Sequence, residues 1–152
     1  MIFRTHIAFA LLVGLLGYNY FVFVDTWILY FLFLFLGAGI PDVDHSKSKF
    51  GRNIFSRIIV IFSKHRKIFH SLFFGMLVAY LLFLYDKGAG FGFLLGFFSH
   101  VVLDSFTKQG INFLYPVGEF KVRGFVKSGG ILETFLFYFL VILDTVSFLT
   151  ST

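Results

Sequence analysis

Residues 6–40 carry a single Asp, Glu, Lys or Arg side chain, Asp25. A bilayer-crossing helix needs roughly 20 mostly apolar residues, so this run is too long for one span. It is expected to fold as a tight hairpin of two short helices. A soluble domain of 152 residues could not hide such a chain, because 58% of it is hydrophobic and only 14% charged. Folds of this size remove only about two thirds of their surface from water. The chain is therefore expected to be an integral membrane protein, with residues 1–152 forming one domain. These numbers exclude a disordered regulator, a secreted disulfide scaffold and a nucleic-acid-binding domain of the usual kind. Cysteine is absent, so no disulfide, thiolate metal site or cysteine nucleophile exists. Arg4 precedes the first apolar run as it would in a signal peptide. No small-residue cleavage site follows, and the run reads as a retained helix.

Apolar runs over 6–23, 26–40, 68–85, 88–106 and 131–149 predict an all-α, polytopic membrane protein with five transmembrane helices. Pro41, just after Gly37-Ala38-Gly39, is expected to stop the second. Between the second and third spans, Phe50, Ile54, Ile58, Ile61 and Phe62 recur at helical spacing, with Arg52, Arg57 and Lys64 elsewhere. That pattern predicts an amphipathic helix lying on the membrane surface.

Basic residues set the expected orientation. Lys47, Lys49, Arg52, Arg57, Lys64, Arg66 and Lys67 fall in the 41–67 loop, and Lys108, Lys121, Arg123 and Lys127 in the 107–130 loop. Five spans place these and Arg4 on one side, with only Lys87 opposite. The N-terminus and both long loops are thus expected in the cytoplasm and the C-terminus outside an inner (cell) membrane. The net charge of +5 is then topological and meets anionic lipid headgroups; no nucleic-acid partner is expected. The oligomeric state is open.

All five histidines map to the cytoplasmic end of this topology. His6 opens the first span; Asp42, Asp44 and His45 follow the second. His65 and His70 flank the start of the third, and His100 and Asp104 lie in the last two turns of the fourth. An ionisable group at the bilayer centre costs about 3 kcal/mol, so such groups are rare without a function. His100 and Asp104, four apart, project from one helix face and can share an ion; the alternative is an i,i+4 hydrogen-bonded pair. Asp42, Asp44 and His45 could equally cap a helix or meet nearby lysines. Small residues favour the first reading. Ala10 and Gly14 continue from His6, Gly75 and Ala79 from Ser71, and Gly88, Gly92 and Gly96 run into His100. Such stripes let membrane helices approach closely, which aims the histidines at one another.

Histidine with carboxylate and no sulfur suits zinc, manganese or iron. The number of candidate ligands allows two ions, which together would activate a water and clamp phosphoryl oxygens. Arg66 and Lys67 are candidates for a phosphate clamp, and topogenic charge is the alternative for both. Ser71 and Ser99 stand beside candidate ligands and could hydrogen-bond to them, or only to their own helix backbone.

Thr5-His6, Pro41-Asp42-Val43-Asp44-His45, His65-Arg66-Lys67-Ile68-Phe69-His70-Ser71, Ser99-His100-Val101-Val102-Leu103-Asp104 and Gly110 through Tyr115-Pro116 occur in that order. The chain resembles, over about residues 4–135, the YdjM-like family of membrane-bound, metal-dependent hydrolases (the LexA-regulated inner-membrane protein family). The family pattern closes on Gly-x-x-x-Glu, which Gly129 and Glu133 match. Lys67 stands where the family favours Gly, and Phe69 where it favours Thr. The resemblance implies a metal centre drawn from His6, Asp42, Asp44, His45, His65, His70, His100, Asp104 and Glu133. A free carboxylate, with Asp44 as the candidate, would act as general base, and Arg66 would assist catalysis. The expected function is hydrolysis of a phosphoester, a phospholipid-like substrate or other amphiphile, at the cytoplasmic face. The rivals are a transporter or metal-handling membrane protein, whose site would lie near the midplane, and a non-catalytic scaffold stapled by metal.

Overall fold

The glycines decide how closely the helices approach. In the computed structural model, which describes residues 1–20, 26–44, 69–118 and 120–151, helix α1 spans Phe3–Tyr20 and α2 spans Trp27–Gly39. A short 3-10 helix, Ile40–Asp44, continues from α2. Then come α3 (Leu72–Tyr85), α4 (Lys87–Ser105) and α5 (Ile131–Ser151). The protein is all-helical. Lys87–Ser105 and Ile131–Thr150 are long and apolar enough to cross a membrane, while α1, α2 and α3 are apolar but shorter. The expected surface helix around 50–62 and the turn at Asp25 lie outside the described residues.

Helices α2 and α4 run parallel with their backbones in contact. A Cβ added at Gly92 would strike the Tyr30 carbonyl, one at Gly96 the Leu34 carbonyl, and one at Gly37 the Phe93 carbonyl. Each step of four along α4 meets a step of four along α2, so Gly88, Gly92 and Gly96 form a packing seam. Phe93, Phe97, Ala79 and Val101 form the core cluster beside it. Gly75 makes room on α3 for the Phe97 ring. Ala10, Leu34 and Ala38 bury together where α1 crosses α2. Helix α5 packs on α1 through Leu140 against Ala8 and Leu12.

Helix directions alternate along the chain. At one end Asp86 caps α4, its Oδ1 accepting from Ala89 N at 2.8 Å, and Thr26 Oγ1 lies 2.8 and 2.9 Å from the two Asp86 oxygens. The starts of α1, α3 and α5 and the ends of α2 and α4 therefore share the opposite end. As expected, α2 ends just before Pro41, at Gly39. Pro41 sits inside the 3-10 helix, where the tighter turn can take a residue without an N–H more readily than an α-helix interior can.

Gly96→Ala and Gly96→Leu are expected to destabilise the protein by at least about 1–3 kcal/mol, because the new Cβ meets backbone. Gly14→Ala should cost less, since its Cβ meets only the end of the Leu34 side chain. Thermal unfolding in detergent checks the order; equal melting points for Gly14→Ala and Gly96→Ala would count against the seam.

Candidate metal centre

The α2–α4 seam ends at His100. One turn beyond Gly96 the same face of α4 presents this ring, fully buried. Its Nδ1 lies 2.7 Å from the Ala38 carbonyl. A carbonyl only accepts, so Nδ1 carries the proton and the Nε2 lone pair faces away from α2. Nε2 lies 3.5 Å from Asp104 Oδ2 and 3.9 Å from Asp42 Oδ1, and no hydrogen bond reaches it among the described residues. Without a second proton, Nε2 would confront carboxylate oxygens there, acceptor against acceptor. A cation between them relieves the conflict.

His70, in the turn before α3, places Nε2 3.8 Å from Asp104 Oδ2. Ligand atoms of Asp42, His70, His100 and Asp104 all lie within 4.8 Å of one another. Four nitrogen and oxygen ligands about 2.0–2.2 Å from a tetrahedral ion sit roughly 3.3–3.6 Å apart, so the group needs only a modest contraction. Its two carboxylates also match the charge of a divalent ion. The cluster can hold a metal ion.

His6 reaches the same place from α1. Its ring stacks on His100 with centroids 3.8 Å apart and planes 11° from parallel. Its Nε2 lies 3.3 Å from Asp104 Oδ1. The ring is fully buried, yet neither nitrogen has hydrogen-bond geometry with any described residue. The Met1 amino group also contacts Asp104 Oδ1. Asp104 thus turns one oxygen toward His70 and His100 and the other toward His6 and Met1.

Glu133 is placed otherwise. Its buried carboxylate accepts from Ile2 N at 2.5 Å, Thr5 Oγ1 at 3.0 Å and Gly129 N at 2.6 Å. It ties the start of α5 to the start of α1, beside His6, and stands outside the four-residue group. Gly129, with φ of +75°, makes the turn that lets Glu133 reach back to it. Of the remaining predicted residues, Asp44 ends the 3-10 helix, and His45, His65, Arg66 and Lys67 lie outside the described residues.

The two serines serve the fold. Ser99 Oγ donates to Gly96 O at 2.7 Å. Ser71 caps α3, accepting from Phe73 N at 3.2 Å, and donates to the Tyr115 carbonyl. Sequence reasoning missed the Ala38 carbonyl, which fixes His100; a backbone acceptor leaves no residue signature.

A profile described as "YdjM inner membrane protein" matches residues 1–150. The chain belongs to this family. It is also similar to the uncharacterized protein YvsG of Bacillus subtilis (strain 168), with 36% identity over 104 residues. That match covers 64% of each chain, so the chain spans just under two thirds of this relative's length. No solved structure matches the chain. Membership in the YdjM family thus joins an inner-membrane protein to a His/Asp cluster suited to a metal ion.

Asp104→Asn keeps side-chain volume but lowers ligand charge. It is expected to weaken metal binding more than about tenfold, read as metal per chain after dialysis against a weak chelator. Undiminished stoichiometry would remove Asp104 from the centre. Glu133→Gln, by contrast, should cost about 1–3 kcal/mol of stability while the folded fraction keeps its metal.

Proposed function

We propose that the chain is a membrane-embedded, metal-dependent hydrolase that cleaves a phosphoester of a lipid or other amphiphile at the cytoplasmic face. The observation that carries this reading is the convergence of Asp42, His70, His100 and Asp104 at one end of the bundle. They come from the 3-10 helix, the turn before α3 and the end of α4, with His6 of α1 stacked against them. The sulfur-free set suits zinc, with manganese or iron as alternatives. When bound, one or two such ions supply Lewis acidity toward a water and the phosphoryl oxygens.

The chain's own groups do the rest. The Ala38 carbonyl holds His100 so that its Nε2 faces the centre. Asp42, His70, His100 and Asp104 would hold one ion, and Asp104 turns its other oxygen toward His6. A second ion would draw its ligands from His6, His45 and His65. The Asp44 carboxylate, two residues beyond Asp42, takes the proton of the attacking water as general base. Arg66 pairs with the phosphoryl oxygens through its planar fork of donors. Glu133 keeps α1, and with it His6, in register.

Five spans accompany this reading. The alternating directions of the five helices support it, and so does the clustering of basic residues in the segments at the site's end. A reporter fused after Thr152 is expected to report the extracytoplasmic side, and one inserted near Gly118 the cytoplasm. The same side for both would overturn the five-span topology.

Purified protein in detergent is expected to carry one or two transition-metal ions per chain and to release phosphate or a phosphorylated headgroup from phospholipid-like esters. Asp44→Asn should lose most of that turnover, on the order of 100-fold, while retaining metal. A preparation that neither contains nor takes up metal would sink the proposal.

A further inference from the structure

The segment joining α4 to α5 is a folded strap. Its two arms are held by Lys108 N to Val126 O at 2.9 Å, Val126 N to Phe106 O at 3.0 Å, and the reciprocal Ile111–Val122 pair at 3.0 Å. Its tip is fastened to the start of α3 by Leu72 N donating to Phe113 O at 2.9 Å and by Ser71 Oγ donating to Tyr115 O. These anchors follow His70 directly, and Thr107 N donates to Asp104 O at 3.1 Å, so the strap is tied to the chain beside two candidate ligands.

Its outer surface combines two chemistries. Val117, Phe120 and Phe125 are 78%, 64% and 70% exposed. Along the returning arm Ile111 pairs with Val122 and Thr107 with Val126. Val126 turns inward while Lys121, Arg123, Phe125 and Lys127 turn outward, the alternation of an extended chain. None of these three cations pairs with a carboxylate among the described residues. Apolar side chains held this open by a hydrogen-bonded backbone mark an interaction surface. The apolar surface also continues along the chain into the exposed Ile131, Leu132 and Phe135 at the start of α5, a helix apolar enough to cross a membrane.

We propose that this strap is a docking surface for the anionic face of the bilayer. Val117, Phe120 and Phe125 enter the boundary between headgroups and acyl chains, and Lys121, Arg123 and Lys127 lie against phosphate-bearing headgroups. The strap then fixes the His70 end of the bundle at headgroup depth. The inference rests on membrane insertion and stands independently of hydrolysis.

Trp27 is the single tryptophan and starts α2, at the end of the bundle away from the strap. The full-length Trp27→Phe/Phe120→Trp double variant therefore carries its fluorophore in the strap alone. It is reconstituted in phosphatidylcholine vesicles with and without phosphatidylglycerol, using acyl chains brominated near the glycerol end. The expected result is blue-shifted emission, quenched about twofold, with stronger quenching when phosphatidylglycerol is present. Adding Lys121→Gln, Arg123→Gln and Lys127→Gln should abolish that lipid preference. Should Phe120→Trp impair folding, Phe125→Trp provides the same readout. Solvent-like emission untouched by brominated lipid, as expected of a surface awaiting a soluble protein, would overturn the proposal. So would quenching indifferent to anionic lipid.

Discussion

The backbone contact between α2 and α4 is the constraint on which the rest of the structure depends. Gly92 and Gly96 on α4 and Gly37 on α2 leave no room for a Cβ. The two helices consequently lie closer than side-chain packing allows. One turn past Gly96, the same register brings the Ala38 carbonyl to His100 Nδ1 at 2.7 Å. Separating the helices by the width of a methyl group would break this bond and free the imidazole to rotate. Packing and ligand orientation therefore share one helix face. A substitution at Gly92 or Gly96 thus reaches the His100 ring through the distance between two backbones.

Helix direction does the remaining assembly. Asp86 joins α3 to α4 and holds Thr26 at the start of α2, so one end of the bundle is pinned by a single carboxylate. All the candidate ligands with described side chains fall at the other. Glu133 plays a matching part there, giving its oxygens to Ile2, Thr5 and Gly129. A buried carboxylate satisfied by neutral donors is an anchor, and this one sets α1 beside α5 so that His6 reaches His100. Residues almost a full chain length apart meet because each helix reverses the last.

Much of this was legible in the residues because membrane packing writes itself in small side chains. The four-residue steps through Gly88, Gly92 and Gly96, and the His100–Asp104 spacing that continues them, predicted which face of α4 turns inward. What escaped was backbone chemistry. The Ala38 carbonyl has no residue signature, and the Gly129–Glu133 pair reads the same whether the carboxylate meets a metal or the Ile2 amide and Thr5 hydroxyl. Ser71 and Ser99 stood beside candidate ligands yet bond to backbone. Pro41 marked the end of α2 correctly, but its missing N–H did not show that the chain would tighten into a 3-10 turn there. The all-helical class followed from apolar run length, whereas the short α2 and α3 show why run length alone does not count spans.

The candidate ligands with described side chains lie at one end of the helices. A transport route needs ligating groups near the middle of the helices, on segments whose backbone is interrupted. Along the α2–α4 seam the middle is filled by Gly92 against Tyr30, Gly96 against Leu34, and the stacked rings of Phe93 and Phe97. The one polar atom of the Tyr30 side chain is satisfied by the Gly14 carbonyl at 2.9 Å. Helices α2 and α4 run unbroken past this level. An ion held by His100 and Asp104 therefore faces a wall of apolar rings and backbone on the side of the bundle interior. The ligands themselves come from the rim, where the 3-10 helix, the turn before α3 and the end of α4 meet. The candidate centre therefore belongs to the rim of the bundle, and its ligands are set by the same seam that closes the interior.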